Sequence, residues 1–196
     1  MDELALSDRS PVELRQRFGL ESNLLAHHLG VLEEVGLVVR TRSSGDGRRR
    51  YVCLVRGAFE GLELGPRLDL GSAVFVCTRN SARSQLAAAL WDARGGTALS
   101  AGTHPANAVH RGAIGAAERV GLDLHGAMPR LIDDVDTTNA LVVTVCDQAH
   151  EELGPRDGWL HWSIPDPVVL GTRVAFDRAL AQIRSRVDAL TVSVAA

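Results

Sequence analysis

One stretch indicates both a fold and a chemistry for this chain: Val74-Phe75-Val76-Cys77-Thr78-Arg79-Asn80-Ser81-Ala82-Arg83-Ser84-Gln85. An apolar, β-branched run predicts a strand that leads directly into Cys77. A run typical of a helix begins near Gln85 and continues through Trp91. The order strand, Cys-x5-Arg-Ser, helix predicts an oxyanion-binding loop with a nucleophile at its base.

The residue types in this loop suit nucleophilic chemistry on an oxyanion. Cysteine attacks as a thiolate, and helix N-terminal N–H groups favour that anion and bind the oxygens of a tetrahedral oxyanion. Arg83 carries a planar guanidinium suited to bidentate contact with such oxygens. Ser84 is placed to donate its hydroxyl to the Cys77 sulfur, and Asn80 suits a left-handed turn. The predicted oxyanion-binding residues are Thr78, Arg79, Asn80, Ser81, Ala82 and Arg83.

This segment resembles the low-molecular-weight tyrosine phosphatase superfamily, and more closely its thioredoxin-coupled arsenate reductase branch. That branch typically reads Cys-Thr-Gly-Asn-Ser-Cys-Arg-Ser-Gln, and residues 77–85 here read Cys-Thr-Arg-Asn-Ser-Ala-Arg-Ser-Gln. The phosphatases usually place proline where Gln85 stands. The resemblance continues at 100–103, 141–146 and 161–167 and covers about 72–192. It implies arsenate reduction by a cysteine nucleophile.

The resemblance also implies a general acid, Asp166 of the Asp166-Pro167 pair, which would protonate the leaving oxygen as Cys77 attacks. Asp before Pro is equally typical of an ordinary turn. Tyrosine phosphatases follow this pair with aromatic residues that line the entrance, whereas Val168 and Val169 follow it here. We therefore favour an arsenate reductase, with a low-molecular-weight protein phosphatase as the alternative.

The chain departs from the reductase branch at Leu153 and at Arg79. The branch carries a second cysteine, matching Cys146, and a third at the position of Leu153. Cys146 is either the thiol that releases arsenite by forming a disulfide with Cys77 or a core residue ending an apolar strand. Without a third cysteine, an external thiol such as mycothiol, glutathione or thioredoxin is expected as reductant. Arg79, where the family has glycine, either aids or obstructs anion binding.

Composition adds bounds on the class of protein. A chain of 196 residues with 45% hydrophobic residues is typical of one large or two small globular domains, and a net charge of −3 says little about partners. Three scattered cysteines do not form a disulfide framework. No signal peptide or membrane-spanning run is evident, so a cytoplasmic location is expected. No bound cofactor and no metal site are expected.

Strand and helix signals alternate in the C-terminal part, which predicts an α/β fold with a four-stranded parallel sheet and helices on both faces. Ligand sites of such sheets lie at the carboxyl ends of the strands, so Cys77, Cys146 and Asp166 are expected at one mouth. We divide the chain into 1–56, a Gly-rich linker at 57–70 and a domain at 71–196. Strands are predicted at 72–76, 98–100, 140–145 and 160–163, with helices at 81–94, 109–120, 147–153 and 173–190.

The first 56 residues show a helix, a short turn, a second helix and a basic hairpin, which is the order of a winged helix-turn-helix. Residues 26–38 resemble the His-His-Leu-x-x-Leu-x-x-x-Gly-Leu-Val pattern of ArsR-family repressors. The first six residues look like the end of a preceding helix, so a truncated unit is expected. The predicted helices cover 11–18 and 21–34, and the hairpin strands cover 37–42 and 48–55.

The repressor resemblance implies DNA binding by a homodimer. Ser22, Asn23, Ala26 and His27 would face the major groove, and the arginines of the hairpin would meet phosphates or the minor groove. An arginine-rich hairpin is also typical of a solvated surface. A transcriptional regulator with a cysteine domain that senses oxyanions is thus a second alternative. The predicted DNA-binding residues are Ser22, Asn23, His27, Arg40, Arg42, Arg48, Arg49 and Arg50.

Overall fold

Three helices and a β-hairpin form the N-terminal part of the fold. The computed structural model describes residues 1–59, 61–62, 64–65 and 68–190. Ser10 and Glu13 begin the second helix with reciprocal hydrogen bonds of 3.3 and 2.8 Å, and Gly19 ends it with φ 62°. The elements are α1 (Asp2–Leu6), α2 (Pro11–Phe18), α3 (Ser22–Glu34), β1 (Val38–Arg42) and its antiparallel partner β2 (Arg50–Leu54).

The remainder is the predicted α/β fold with its four-stranded parallel sheet, which is confirmed in the order β4-β3-β5-β6. Each strand follows the predicted position to within a few residues. The strands are β3 (Ser72–Cys77), β4 (Thr97–Gly102), β5 (Leu141–Thr144) and β6 (Leu160–His161). The helices are α4 (Arg83–Asp92), α5 (Arg111–Glu118), α6 (Asp147–Leu153), α7 (Pro167–Leu170) and α8 (Arg173–Leu190), with 3-10 turns at Arg56–Phe59 and Ile132–Asp134.

The sheet topology places a crevice at the carboxyl ends of its two central strands. The chain leaves β3 for β4 on one side and later returns to β5 on the other, so the strand order reverses between β3 and β5. Cys77 is the last residue of β3, and Cys146 follows shortly after β5. Phe75 and Val143 are fully buried on these strands, which fixes the crevice on a rigid core.

The segment predicted as a linker, 57–70, makes packing contacts. Its start lies within the 3-10 turn Arg56–Phe59, and Phe59 and Leu64 pack on the N-terminal hydrophobic cluster. The N–H of Leu68 donates to the carbonyl of Leu190 at 2.7 Å. Residues 60, 63, 66 and 67 of this segment, and 191–196 of the predicted C-terminal domain, lie outside the described residues. The domain boundaries therefore stay predictions.

Asp8 joins the N-terminal part to the sheet. Its carboxylate accepts hydrogen bonds from the Ser163 N–H at 2.8 Å and from Arg186 Nη2 at 2.6 Å. Its own N–H donates to the carbonyl of His161 at 2.7 Å. Asp8, Ser163 and Arg186 are all buried, and removing one partner of such a buried ion pair strongly destabilises a fold.

A second contact joins the hairpin turn to α6. The Ser44 N–H donates to Asp147 Oδ2 at 2.8 Å, and the Asp46 N–H donates to Glu151 Oε2 at 2.6 Å. Between them, a Cβ added at Gly45 would lie 2.8 Å from the helix backbone. The turn is thus hydrogen-bonded to the helix that begins directly after Cys146.

The buried His161 predicts a pH-dependent stability. Burial lowers the pKa of His161, although Asp147 opposes the shift through a hydrogen bond, so the unfolded chain binds more protons below about pH 6.5. The free energy of unfolding should therefore fall as pH drops below this value, by up to about 1.4 kcal/mol per pH unit.

Urea denaturation at pH 7.5 and 5.5 tests this expectation. His161→Gln should show a smaller difference between the two pH values than the wild type. His125→Gln, a change at an exposed histidine, should retain the wild-type difference. An equal difference in all three proteins would contradict the assignment.

Candidate active site

The base of the site is a hydrogen-bond network around the Cys77 sulfur. The Asn80 N–H donates to Sγ at 3.2 Å, and Ser84 Oγ lies 3.1 Å from the same sulfur. Asn80 Nδ2 donates to Ser84 Oγ at 2.8 Å, which leaves the serine hydrogen available for the sulfur. Asn80 adopts φ 46°, the left-handed conformation that asparagine tolerates. Two donors thus converge on the sulfur, an arrangement that stabilises a thiolate.

A neighbouring segment holds the loop after Cys77 through hydrogen bonds to carbonyl groups of the loop. Successive carbonyls of the loop accept hydrogen bonds from the segment after β4. Because the N–H and C=O of a peptide point in opposite directions, this arrangement turns N–H groups toward the concave side of the loop, as in an anion-binding nest. The pairs are His104 N to Thr78 O at 2.8 Å, Ala106 N to Arg79 O at 2.9 Å and His110 N to Ser81 O at 2.8 Å.

Gly102 offers a direct test of this loop geometry. A Cβ at Gly102 would lie 2.8 Å from the Thr78 carbonyl oxygen and 3.0 Å from the Asn80 N–H nitrogen, both backbone atoms. We expect Gly102→Ala to displace the loop and to lower kcat/KM about 100-fold, the scale of an ångström-sized misplacement.

The control for this change is Gly126→Ala, because nothing lies within 4 Å of a Cβ there. The measurement is kcat/KM for p-nitrophenyl phosphate or arsenate, together with phosphate inhibition. Wild-type kinetics in Gly102→Ala would show that the loop does not depend on this close approach.

Arg83 and Asp166 meet beside the cysteine. Arg83 Nη2 donates to Asp166 Oδ2 at 2.7 Å, and Nη1 donates to the Ile164 carbonyl at 2.9 Å. Asp166 begins α7 by accepting from the Val168 N–H at 2.9 Å. A cavity of about 250 Å³ is lined by Cys77, Arg83 and Asp166, together with the exposed Arg79. The structure therefore brings the predicted nucleophile, guanidinium and acid to one mouth.

Cys146 lies against the back of the same loop. Its Sγ is 3.3 Å from Thr78 Oγ1 and accepts a hydrogen bond from the Ala149 N–H at 3.4 Å, so it caps α6. Burial raises the pKa of Cys146 to about 11, Arg83 opposes this shift, and the neighbouring Cys77 adds to it. Cys146 is thus a buried thiol within the electrostatic reach of Cys77.

The predicted DNA-binding residues lie elsewhere. Ser22, Asn23 and His27 are exposed on α3, and the five arginines of the hairpin are exposed as well. Some of those arginines already have partners, since Arg40 forms an ion pair with Glu33. None of these residues lines the cavity beside Cys77.

Two contributors to the site had no clear signal in the sequence. The Arg130 N–H donates to Asn80 Oδ1 at 2.8 Å and thereby fixes the amide that holds Ser84. Residues 103–110 support the loop from outside, although only their beginning falls in the motif at 100–103. Contacts between main-chain groups carry no residue signature, so spacing alone does not reveal them.

Within the described part of the chain, no group of three or more His, Cys, Asp or Glu residues is arranged to hold a metal ion. The same residues include no helix that is both long and apolar enough to span a membrane.

The C-terminal part of the chain is similar to known proteins. Residues 72–196 match the profile of the family described as low molecular weight phosphotyrosine protein phosphatase. Arsenate reductase 2 of Staphylococcus haemolyticus (strain JCSC1435) is 33% identical over 112 residues, 51% of this chain and 81% of that protein. The crystal structure of an arsenate reductase from Archaeoglobus fulgidus DSM 4304 is 32% identical with a TM-score of 0.51, covering 59% of this chain and 94% of that one.

An arsenate reductase solved in its phosphate-binding state is 25% identical with a TM-score of 0.51, covering 60% of this chain and 94% of that one. The fold and the comparisons together define a cysteine-loop α/β enzyme. The chain belongs to the low molecular weight phosphotyrosine protein phosphatase family and is an enzyme of that family.

Proposed function

We propose that the chain reduces arsenate, with Cys77 as the nucleophile. The observation that carries this proposal is the second thiol, because Cys146 Sγ lies 3.3 Å from Thr78 Oγ1, in the residue next to Cys77. An ester hydrolase needs one nucleophilic thiol, whereas a reductase needs a source of two electrons. The sequence similarity to arsenate reductases supports the same choice.

In the proposed reaction, the Cys77 thiolate attacks arsenic and forms a sulfur–arsenic bond while one oxygen leaves as water. The Cys146 thiolate then attacks Cys77 Sγ, so that a Cys77–Cys146 disulfide forms as the sulfur–arsenic bond breaks. The electron pair of that bond stays on arsenic, which leaves as arsenite. Two thiols are oxidised to one disulfide while As(V) is reduced to As(III).

Arg83 and Asp166 act as a linked pair in this proposal. They bind each other, with Arg83 Nη2 2.7 Å from Asp166 Oδ2. An entering oxyanion competes for the guanidinium and frees the Asp166 carboxylate, which takes a proton from a hydroxyl of the oxyanion and delivers it to the leaving oxygen. Ser84 and the Asn80 N–H hold the sulfur, and the other N–H groups of the loop hold the oxyanion together with Arg83.

A low-molecular-weight phosphatase is the alternative, since the same loop and acid would hydrolyse a phosphate ester. Cys146→Ser separates the two activities. It should reduce arsenate turnover with dithiothreitol at least tenfold and leave p-nitrophenyl phosphate hydrolysis within twofold of wild type. Cys53→Ser, a change at another buried free cysteine, is the matched control. Equal arsenate turnover in both variants would contradict the role of Cys146, whereas ester hydrolysis by the wild type without any arsenate turnover would favour the phosphatase.

The proposal includes an external thiol as electron donor: mycothiol, glutathione or thioredoxin. Cys53, Cys77 and Cys146 are all free thiols, and position 153 holds leucine. A reducing compartment such as the cytoplasm suits this chemistry.

For residues 1–56 we propose a winged helix-turn-helix unit that binds DNA as a homodimer. Its support is the order α2, α3 and hairpin around its own hydrophobic cluster, with Ser22, Asn23 and His27 exposed on α3. The turn of the hairpin is hydrogen-bonded to α6, so contact with a minor groove requires its release. A regulator that senses oxyanions through the Cys77 loop is the corresponding alternative function.

The test of DNA binding is fluorescence anisotropy with a palindromic operator-like duplex at rising salt, with oligomeric state measured in parallel. Specific binding should weaken steeply with salt and be lost in Asn23→Ala. Glu21→Ala, a change at an exposed residue directly before α3, is the control. The absence of DNA binding at low salt would contradict the DNA-binding proposal and would leave the reductase proposal unaffected.

A further inference from the structure

A cavity larger than the one beside Cys77 has no role in the reaction above. It measures about 670 Å³, against about 250 Å³ for the cavity beside Cys77. Its walls come from the β-hairpin on one side and from α7 and α8 on the other. A volume of this size is typical of pockets that enclose a small organic molecule.

Four arginines line this cleft, namely Arg42, Arg56, Arg178 and Arg186. Arg186 is buried on α8, where Nη2 donates to Asp8, while its Nε finds no hydrogen-bond partner among the described residues. Arg56 lies near it, and burial together with repulsion from Arg186 lowers the pKa of Arg56 to about 10. Arg178 adds a third guanidinium to the same lining. A carboxylate placed here would supply an acceptor for these donors.

The cleft also reaches the catalytic mouth. Asp166 lines both the cleft and the cavity beside Cys77. Along α7, Val169 and Leu170 line the cleft and are exposed at 82% and 70%. A molecule bound in the cleft would cover these apolar side chains and present its far end to the mouth beside Cys77. Acidic groups in the lining are already engaged, since Asp147 bonds Ser44 and Asp166 bonds Arg83.

We propose that this cleft binds the electron donor, a low-molecular-weight thiol that carries a carboxylate. Its carboxylate would lie on the arginines of α8 and the 3-10 turn, and its thiol would point toward Cys77. The inference rests on the proposed reductase function and deepens it, because it places the donor at a particular site. Cys77 lines the cavity that shares Asp166 with the cleft, whereas Cys146 lines neither, so the donor meets the disulfide from the Cys77 side.

The donor step conserves atoms and electrons. The donor thiolate attacks Cys77 Sγ of the Cys77–Cys146 disulfide, the sulfur–sulfur bond breaks, and Cys146 leaves as a thiolate that takes up a proton. A second donor thiolate attacks the donor sulfur of the resulting mixed disulfide and releases the Cys77 thiolate. Two donor thiols are oxidised to one donor disulfide, and one protein disulfide is reduced.

The first experiment measures binding without turnover. S-Methylglutathione, which keeps both carboxylates of glutathione but has no free thiol, is titrated into the full chain by calorimetry. We expect binding that weakens about tenfold in Arg178→Gln and is unchanged in Arg184→Gln, a change on the same helix outside the cleft lining. No binding at millimolar ligand, or equal binding to both variants, would overturn the proposal.

The second experiment separates this inference from the reductase proposal. Arsenite production is measured with glutathione, with its diethyl ester, which has no carboxylate, and with dithiothreitol. Arg178→Gln should lower the ratio of kcat/KM for glutathione to that for dithiothreitol about tenfold, and Arg184→Gln should not change it. Turnover with dithiothreitol alongside equal use of glutathione and its ester would refute the cleft assignment only. No arsenite with any donor would refute the reductase itself.

Discussion

Cys77→Ser is expected to lower arsenate turnover and phosphate-ester hydrolysis by at least about 10⁴-fold, the scale on which enzymes lose a covalent nucleophile. The reason lies in the nucleophilicity of the two groups, because a serine hydroxyl is a much weaker nucleophile than a cysteine sulfur. The donors from Asn80 and Ser84, at 3.2 and 3.1 Å, are spaced for sulfur and do not compensate.

We expect Cys77→Ser to lose turnover because the chemical step fails, while phosphate binding is retained. Phosphate binding measured by calorimetry should stay within a few-fold of wild type, because the inward N–H groups of residues 78–83 and Arg83 remain. The melting temperature should also stay close to that of wild type. Residual turnover above 1% of wild type would contradict the role of Cys77.

Asp166→Asn has the second largest expected effect. Loss of the general acid should lower kcat for ester hydrolysis by about 10²–10⁴-fold. The loss should be larger for phenyl phosphate than for 2,4-dinitrophenyl phosphate, because a poor leaving group depends more on protonation. The geometry behind this expectation is the position of Asp166 on the wall of the cavity that contains Cys77.

A purely structural role for Asp166 predicts a different outcome. Asp166 also begins α7, so its replacement disturbs the helix start as well as the acid. A structural loss would be the same for both esters, whereas the loss of an acid depends on the leaving group. Asp157→Asn, at an exposed position, serves as the control and should keep wild-type rates with both esters.

The local parts of the fold were accessible from sequence because they depend on neighbouring residues. The strand predicted at 72–76 is observed at Ser72–Cys77, and the helix predicted at 173–190 is observed at Arg173–Leu190. Apolar periodicity and turn residues determine such elements within short windows. The parallel sheet was predicted from the alternation of strands and helices, and the structure confirms it.

The long-range contacts were not accessible. Nothing in the sequence near Asp8 indicates that it pairs with Arg186, and the hairpin turn gives no sign that it bonds Asp147. These contacts join residues more than a hundred positions apart, where no periodicity applies. They join the N-terminal part to the rest of the chain through one buried ion pair, between Asp8 and Arg186 of α8, and through hydrogen bonds such as that from Ser44 to Asp147.

The candidate site likewise combines local features that the sequence predicts with long-range contacts that it does not. The spacing Cys-x5-Arg-Ser was sufficient to predict that Cys77, Arg83 and Ser84 are neighbours, because one strand–loop–helix turn contains all three. The support of Asn80 by the Arg130 N–H depends on where a distant loop passes. The cleft beside α8 likewise arises only when the hairpin and the last helix are placed together.

Arsenite production from arsenate by the purified chain tests the central claim most directly. Dithiothreitol, thioredoxin with its reductase, glutathione and mycothiol would be supplied separately, with Cys77→Ser as the blank. We predict arsenite formation with at least one thiol donor, absent from the blank and diminished in Cys146→Ser. No arsenite with any donor, together with hydrolysis of phosphate esters that depends on Cys77, would contradict the reductase and leave a phosphatase.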